Sequence, residues 1–189
     1  MTLVEILQGL PHLPELFERL RSGRHICADD GPLYLALRAE VGSYRALFEA
    51  LGFDLVGHDR GFYYFLSGED LGKEASQLAA FFFILVEAWG DAGKDLEATA
   101  FGAAGHRLAD LPHLSRDRWR RLMAEANVTN EEELSNLIRR LERYGFAERL
   151  ADDRFRFRTP VWRFLDLCFE VLNDDHDEST KVNSATGDA

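Results

Sequence analysis

The strongest constraint on this chain is a device that it writes twice. "GFDLVGHDRGFYYFL" runs from Gly52 to Leu66, and "GFAERLADDRFRFR" runs from Gly145 to Arg158. Each opens on Gly-Phe, turns on an Asp-Arg step and closes on alternating aromatics. Before Gly52, Tyr44, Leu47, Phe48 and Leu51 recur at the spacing of one helix face. Before Gly145, Leu134, Leu137, Ile138 and Leu141 do the same. A glycine placed just after such a stripe suits the left-handed residue that ends a helix. Asp59-Arg60-Gly61 and Asp152-Asp153 carry turn chemistry between short strands. The repeated unit is an amphipathic helix, a glycine stop and a β-hairpin.

The residues upstream extend this unit to a whole winged helix. Pro14 to Arg21 predicts a short helix with Leu16, Phe17 and Leu20 on its apolar face. "SGRHI" then gives a short extended piece. Gly31-Pro32 starts a second helix carrying Leu33, Leu37 and Val41, and Ser43 is a candidate N-cap for the third. Helix, short strand, helix, helix, hairpin is the order of a winged helix, and the hairpin is its wing. Lys73 to Trp89 follows as a helix apolar almost all round, the pattern of an element buried between layers or between subunits. Residues 97–114 are rich in Gly and Ala and show no assignable period. Ser115 is expected to cap a helix to Ala126 with Trp119, Leu122 and Met123 inside. Thr129 or Asn130 caps the next, with Glu131, Glu132 and Glu133 at its positive dipole end. The second wing occupies residues 146–158, and Thr159-Pro160 starts a final helix through Leu172.

The predicted fold class is mainly α with small β wings, arranged as tandem winged-helix domains. Residues 1–72 form the N-terminal winged helix. Residues 73–172 form the long helix plus the C-terminal winged helix. Residues 173–189 are polar, acidic and without periodicity, which predicts a disordered tail.

Charge and patterning narrow the function. The formal net charge is -11, which counts against a nonspecific nucleic-acid binder. Residues 106–165 nevertheless carry thirteen basic residues, all Arg, against ten acidic ones. Arg forks suit carboxylate and phosphate, although an ion-paired, solvated surface reads the same way. On the second wing, alternation puts Phe155 and Phe157 inward and Arg154, Arg156 and Arg158 on the outer face. That row meets phosphates, an acidic partner or solvent. The first wing is apolar on both faces, with Phe62, Tyr64 and Leu66 on one and Tyr63 and Phe65 on the other. An isolated hairpin would show a polar face. Its second face is therefore covered by the long helix or by another subunit, and with the all-round apolar helix this implies a homodimer.

No catalytic constellation has useful spacing, so the chain reads as non-enzymatic, with no cofactor and no metal. His25 and Cys27 stand without further ligand spacing. "GAAGHRLAD" has two glycines but lacks the end of a phosphate loop. Cys27 and Cys168 are the only cysteines, and no secretory segment follows Met1, which suggests a reducing cytoplasm. The apolar run from Leu78 to Trp89 is too short to span a bilayer. The helix before the second wing stands in the recognition position of a winged helix. Its N-terminal end carries three Glu, and Arg139, Arg140 and Arg143 come later, which disfavours base reading in a major groove.

"LRSGRHI" (Leu20–Ile26), followed by a helix pair and "GFYYF" (Gly61–Phe65), resembles the MukE family and its relative MksE. The same holds for "RLERYGF" (Arg140–Phe146) and "FRFRTPVWRF" (Phe155–Phe164) before an acidic tail. The likeness covers roughly residues 14–175. A shorter segment between the wings and a shorter tail favour the MksE side. The resemblance implies a non-catalytic, cytoplasmic, nucleoid-associated subunit of a bacterial condensin-like complex. Such proteins are homodimers that bind a kleisin subunit (MukF- or MksF-like), which bridges an SMC ATPase (MukB- or MksB-like). They can face DNA held in the complex, and some versions restrict plasmids. Arg21, Arg24 and His25 in the first motif, with Arg154, Arg156 and Arg158, are then candidates for DNA or partner binding. Tyr63, Phe65 and Phe82 are candidates for dimer or kleisin contact. The alternative is a free-standing winged-helix transcription regulator.

Overall fold

A computed structural model of the chain describes residues 9–66 and 72–169, with side chains from residue 76 onward in the second stretch. The tail expected from Asn173 and the end of the final helix at Leu172 lie outside these residues. The first half runs α1 (Leu13–Arg21), β1 (Ile26–Cys27), a 3-10 turn (Ala28–Asp30), α2 (Pro32–Ala39), α3 (Val41–Ala50), β2 (Leu55–His58) and β3 (Phe62–Phe65). The second half opens with α4 (Gly72–Asp91), α5 (Leu96–Ala100) and β4 (His106–Arg107). Two 3-10 turns (Leu108–Asp110, Pro112–Leu114), α6 (Asp117–Glu125), α7 (Glu131–Arg143), β5 (Ala147–Ala151) and β6 (Arg154–Phe157) follow. A last 3-10 turn (Thr159–Val161) leads into α8, described over residues 162–169.

Each half closes a three-stranded antiparallel sheet, ordered β1-β3-β2 and β4-β6-β5. The fold is mainly α with small β wings, two winged helices in tandem. The glycine stops act as the sequence requires. Gly52 and Gly145 take φ of 82° and 80°, where a Cβ is strained. The amide after each reaches back to the preceding helix, Phe53 to the Phe48 carbonyl at 2.9 Å and Phe146 to that of Leu141 at 2.8 Å. Asn130 caps α7 by accepting from the Glu133 amide, and the Glu133 carboxylate accepts in return from the Thr129 amide.

Two expected caps are corrected. Helix α3 begins at Val41, so Ser43 lies inside its first turn, with its hydroxyl turned back to Glu40. The Ser115 hydroxyl donates to the Pro112 carbonyl and closes a 3-10 turn, and α6 starts two residues later. Short hydroxyls bind any nearby backbone carbonyl as readily as they cap, so their presence alone does not fix a helix start.

Two apolar clusters hold the molecule. One lies inside the first winged helix and gathers Leu16, Leu20, Leu37, Tyr44 and Phe48, with Tyr63 and Phe65 packed on it. The other centres on α4, whose Phe81, Phe82, Ile84 and Leu85 are fully buried, and it takes in Cys27 and Phe62 from the first half. Each such side chain stabilises by about 1.5–3 kcal/mol. Both apolar faces of the first wing thus find cover within one protomer, except at Leu66, which is 52% exposed. The cover on the Phe62–Tyr64 face departs from expectation. Arg163 lies 4.3 Å over Tyr64, Arg60 lies 3.8 Å over Trp162, and His25 bridges Tyr64 to Phe146. Chain adjacency pointed to the long helix, whereas α8 returns after the second wing and reaches this face.

Candidate functional site

The residues singled out in the sequence separate into a buried junction and an exposed wing. The junction forms where the 3-10 turn after β1 meets the base of β6. Gly145 permits the approach, because a Cβ there would stand 2.6 Å from the His25 carbonyl oxygen. The His25 amide donates to the Tyr144 carbonyl at 2.9 Å. The His25 ring sits 4.4 Å from that of Phe146 and 5.0 Å from that of Tyr64. Arg163 approaches its Nε2 at 3.1 Å, and a guanidinium only donates. Nε2 is therefore the acceptor, and Nδ1 carries the hydrogen that reaches the Tyr144 carbonyl at 3.2 Å. Burial, helped by the Arg163 charge, lowers the His25 pKa to about 3, so the ring is neutral.

Asp30 is the anion at the centre. Its carboxylate accepts from Arg158 at 2.6 Å, Arg24 at 3.3 Å and the Cys27 amide at 3.0 Å. Burial opposes its charge, but the Cys27 amide and the Arg158 and Arg24 guanidiniums outweigh burial and hold the carboxyl below its usual range. Arg158 also donates to the Gly145 carbonyl at 3.3 Å and lies 3.4 Å from Asp29. Arg24 reaches the Glu142 carbonyl at 3.1 Å. Burial pushes the neighbouring Cys27 thiol up to about 12. Chemically this is a closed ion-pair network that ties the two winged helices together.

That placement corrects several expectations. Arg158 does share a strand face with Arg154 and Arg156, but its side chain is 2% exposed. The row has one free end: Arg154 is exposed, whereas Arg156 is paired with Glu148, its cross-strand neighbour, at 2.5 Å. His25 is buried and Arg24 largely engaged, so neither is a surface ligand group in this arrangement. Arg21 is exposed and paired with Glu18 at 2.9 Å. Phe82 is fully buried in the protomer, and Tyr63 and Phe65 are half-buried against the first core. Alternation fixed the faces correctly, but it could not show what would dock on them.

Two surface features were not resolved in the sequence. Ala79, Ala80 and Phe83 of α4, Leu122 of α6, and Phe164 and Leu167 of α8 line an apolar groove of about 380 Å3. Leu167 is 55% exposed there. Through Phe83 and Leu122 the groove continues into a second depression whose rim balances Arg118 and Arg121 against Asp117 and Glu125, with Arg118 paired to Glu87 at 2.6 Å. The all-round apolarity of α4 was its sequence signal. The other feature is β4, which lies in "GHRLAD" (Gly105–Asp110). That run repeats the strand and 3-10 turn of "RHICADD" (Arg24–Asp30), a likeness that the sequence reading did not pick out.

A model of the family described as condensin complex protein MksE matches residues 11–169. The chain belongs to the MksE family. MksE proteins are condensin complex proteins, and the match takes in both winged helices and the junction between them. No curated protein matches the chain. No helix among the described residues is long and apolar enough to cross a membrane.

Proposed function

We propose that this MksE-family chain is the adaptor subunit of a bacterial condensin-like complex. It forms a homodimer, binds a MukF- or MksF-like kleisin, and joins a MukB- or MksB-like SMC ATPase through that kleisin. The complex acts on nucleoid DNA in the cytoplasm, in chromosome organisation or segregation, or in plasmid restriction. In this reading residues 1–72 and 73–172 are two winged-helix domains held as one block, and residues 173–189 are a separate acidic tail. The observation that carries the reading is the family match across residues 11–169. The groove between α4, α6 and α8 supports it. Its walls are apolar, and Ala79 and Ala80 let a partner backbone come close. A kleisin segment with apolar anchors fits that chemistry, and segments that order on binding use such surfaces. The three Glu at the start of α7 keep the adaptor reading ahead of an operator-binding one.

The test is co-expression with a kleisin-like partner, followed by affinity capture and light scattering. The expected result is a stable complex, with the free protein running at twice 21.5 kDa. A 21.5 kDa species that captures no kleisin would refute it.

A further inference from the structure

A second cavity, of about 430 Å3, opens beside the second wing, between the end of α4, the α5–β4 loop and β6. Three cations line it, Lys94, Arg107 and Arg154, against one carboxylate, Asp110. Two of the three have no carboxylate partner among the described residues. Lys94 makes no ion pair, and Arg154 reaches only the Ala104 carbonyl, at 3.4 Å. Arg107 is held by Asp153 at 3.1 Å. The floor is small: Gly102, Ala104 and Gly105 line it. Gly105 (φ 64°) has to be glycine, since a Cβ would stand 2.5 Å from the Phe155 carbonyl oxygen.

The tandem symmetry sharpens the point. In the first sheet, the edge strand β1 and its 3-10 turn are covered by the second winged helix, which inserts Arg158 between Asp29 and Gly145. In the second sheet, the matching edge strand β4 and its 3-10 turn border this open cleft instead. The aromatic groups in its wall cannot serve as a stacking platform. Trp89 is 7% exposed, and His106 is stacked on it and bonded to the Ala100 carbonyl at 3.1 Å. A free nucleotide would find no place for its base, whereas a backbone phosphate needs none.

We infer that the cleft of Lys94, Arg107 and Arg154 is a phosphate site for the backbone of a nucleic acid, and that the second wing touches DNA here and not through an Arg154–Arg156–Arg158 row. This deepens the DNA-related part of the proposed function and rests on it. The contact is sequence-independent, and each phosphate neutralised adds about 0.9 to the slope of affinity against salt on logarithmic axes.

The test uses the full chain and a fluorescent DNA duplex, titrated by anisotropy at several low salt concentrations. The wild type binds weakly, and the Lys94→Glu/Arg154→Glu variant loses at least tenfold in affinity, with a salt slope shallower by about 1–2. Arg38→Glu, an exposed charge on α2, leaves both unchanged. Circular dichroism melts confirm that the reversals fold. Absence of wild-type binding, or equal binding by the Lys94→Glu/Arg154→Glu variant, overturns the assignment. So does competition by ATP or by polyglutamate as strong as that of unlabelled duplex, which would reassign the cleft to a free phosphate ligand or an acidic segment. Kleisin capture by the same variant separates the two readings: a variant that keeps its kleisin but loses DNA supports the cleft, and loss of both overturns a DNA-specific role.

Discussion

Arg154 opens β6 and Arg158 lies just past its end, two repeats of the pleat away on the same face, yet they should behave oppositely when truncated. Arg158→Met removes the strongest partner of a carboxylate whose side chain is 4% exposed. Asp30 would keep Arg24 at 3.3 Å and the Cys27 amide, so it would be weakened and not fully orphaned. Breaking a buried pair by removing one partner costs about 3–5 kcal/mol, and the lower end applies with those bonds left in place. For a chain of this size that is a fall of roughly 6–12 °C in Tm. Arg154→Met removes an exposed side chain with a single long bond, worth within about 0.5 kcal/mol. Adding Asp30→Leu to Arg158→Met takes the acceptor from Arg24 and from the Cys27 amide, so it should cost about 1 kcal/mol more and not restore stability. Urea and thermal melts near neutral pH on all four proteins measure this. Equal, small losses for Arg154→Met and Arg158→Met would show that the junction is not closed in solution and that the outward row is right after all.

Other outcomes follow from the same packing. His25 and His113 are buried neutral, with pKa lowered to about 3 and about 4, chiefly by desolvation. The unfolded chain therefore binds more protons below about pH 6.5, and stability falls as pH drops. Between pH 7.5 and pH 5 each histidine should remove roughly 2 kcal/mol, with His106 acting in the same direction. A urea midpoint that does not move over this range would contradict their burial. Gly145→Ala and Gly52→Ala carry the same left-handed penalty of about 1–2 kcal/mol. Only the former drives a Cβ into the His25 carbonyl, so it should cost at least about 1 kcal/mol more in the same melts, and equal losses would argue against the junction.

Much of the fold was legible because the local signals agreed. The stripe of Leu134, Leu137, Ile138 and Leu141, the cap at Asn130 and the stop at Gly145 each point to α7, and the structure gives Glu131–Arg143. The wings were legible from alternation, and Phe155 and Phe157 are buried as alternation requires. Strand β4 was not, because two residues are too few to show a period and it pairs with β6 across nearly fifty residues. The candidate residues were harder still. Alternation says which way Arg158 points, but Asp29 and Asp30, which receive it, come from a turn about 130 residues earlier. His25 reads as a half-buried strand residue in "GRHI" and as a candidate binding residue, and its full burial depends on Phe146 and Arg163, both distant in sequence. Long-range docking decides whether an Arg row is a binding face or a lock, and no local pattern encodes it.

If the groove between α4, α6 and α8 holds the kleisin partner, acidic substitutions on its walls should release that partner. The most direct measurement is co-purification of the partner with the wild type and with an Ala79→Glu/Leu167→Glu variant. Both positions are exposed, so the fold should be spared, and unchanged melting confirms it. The expected result is a stoichiometric complex for the wild type and loss of at least tenfold in capture for the variant. Full capture by a folded Ala79→Glu/Leu167→Glu protein, or no capture by the wild type, would contradict it.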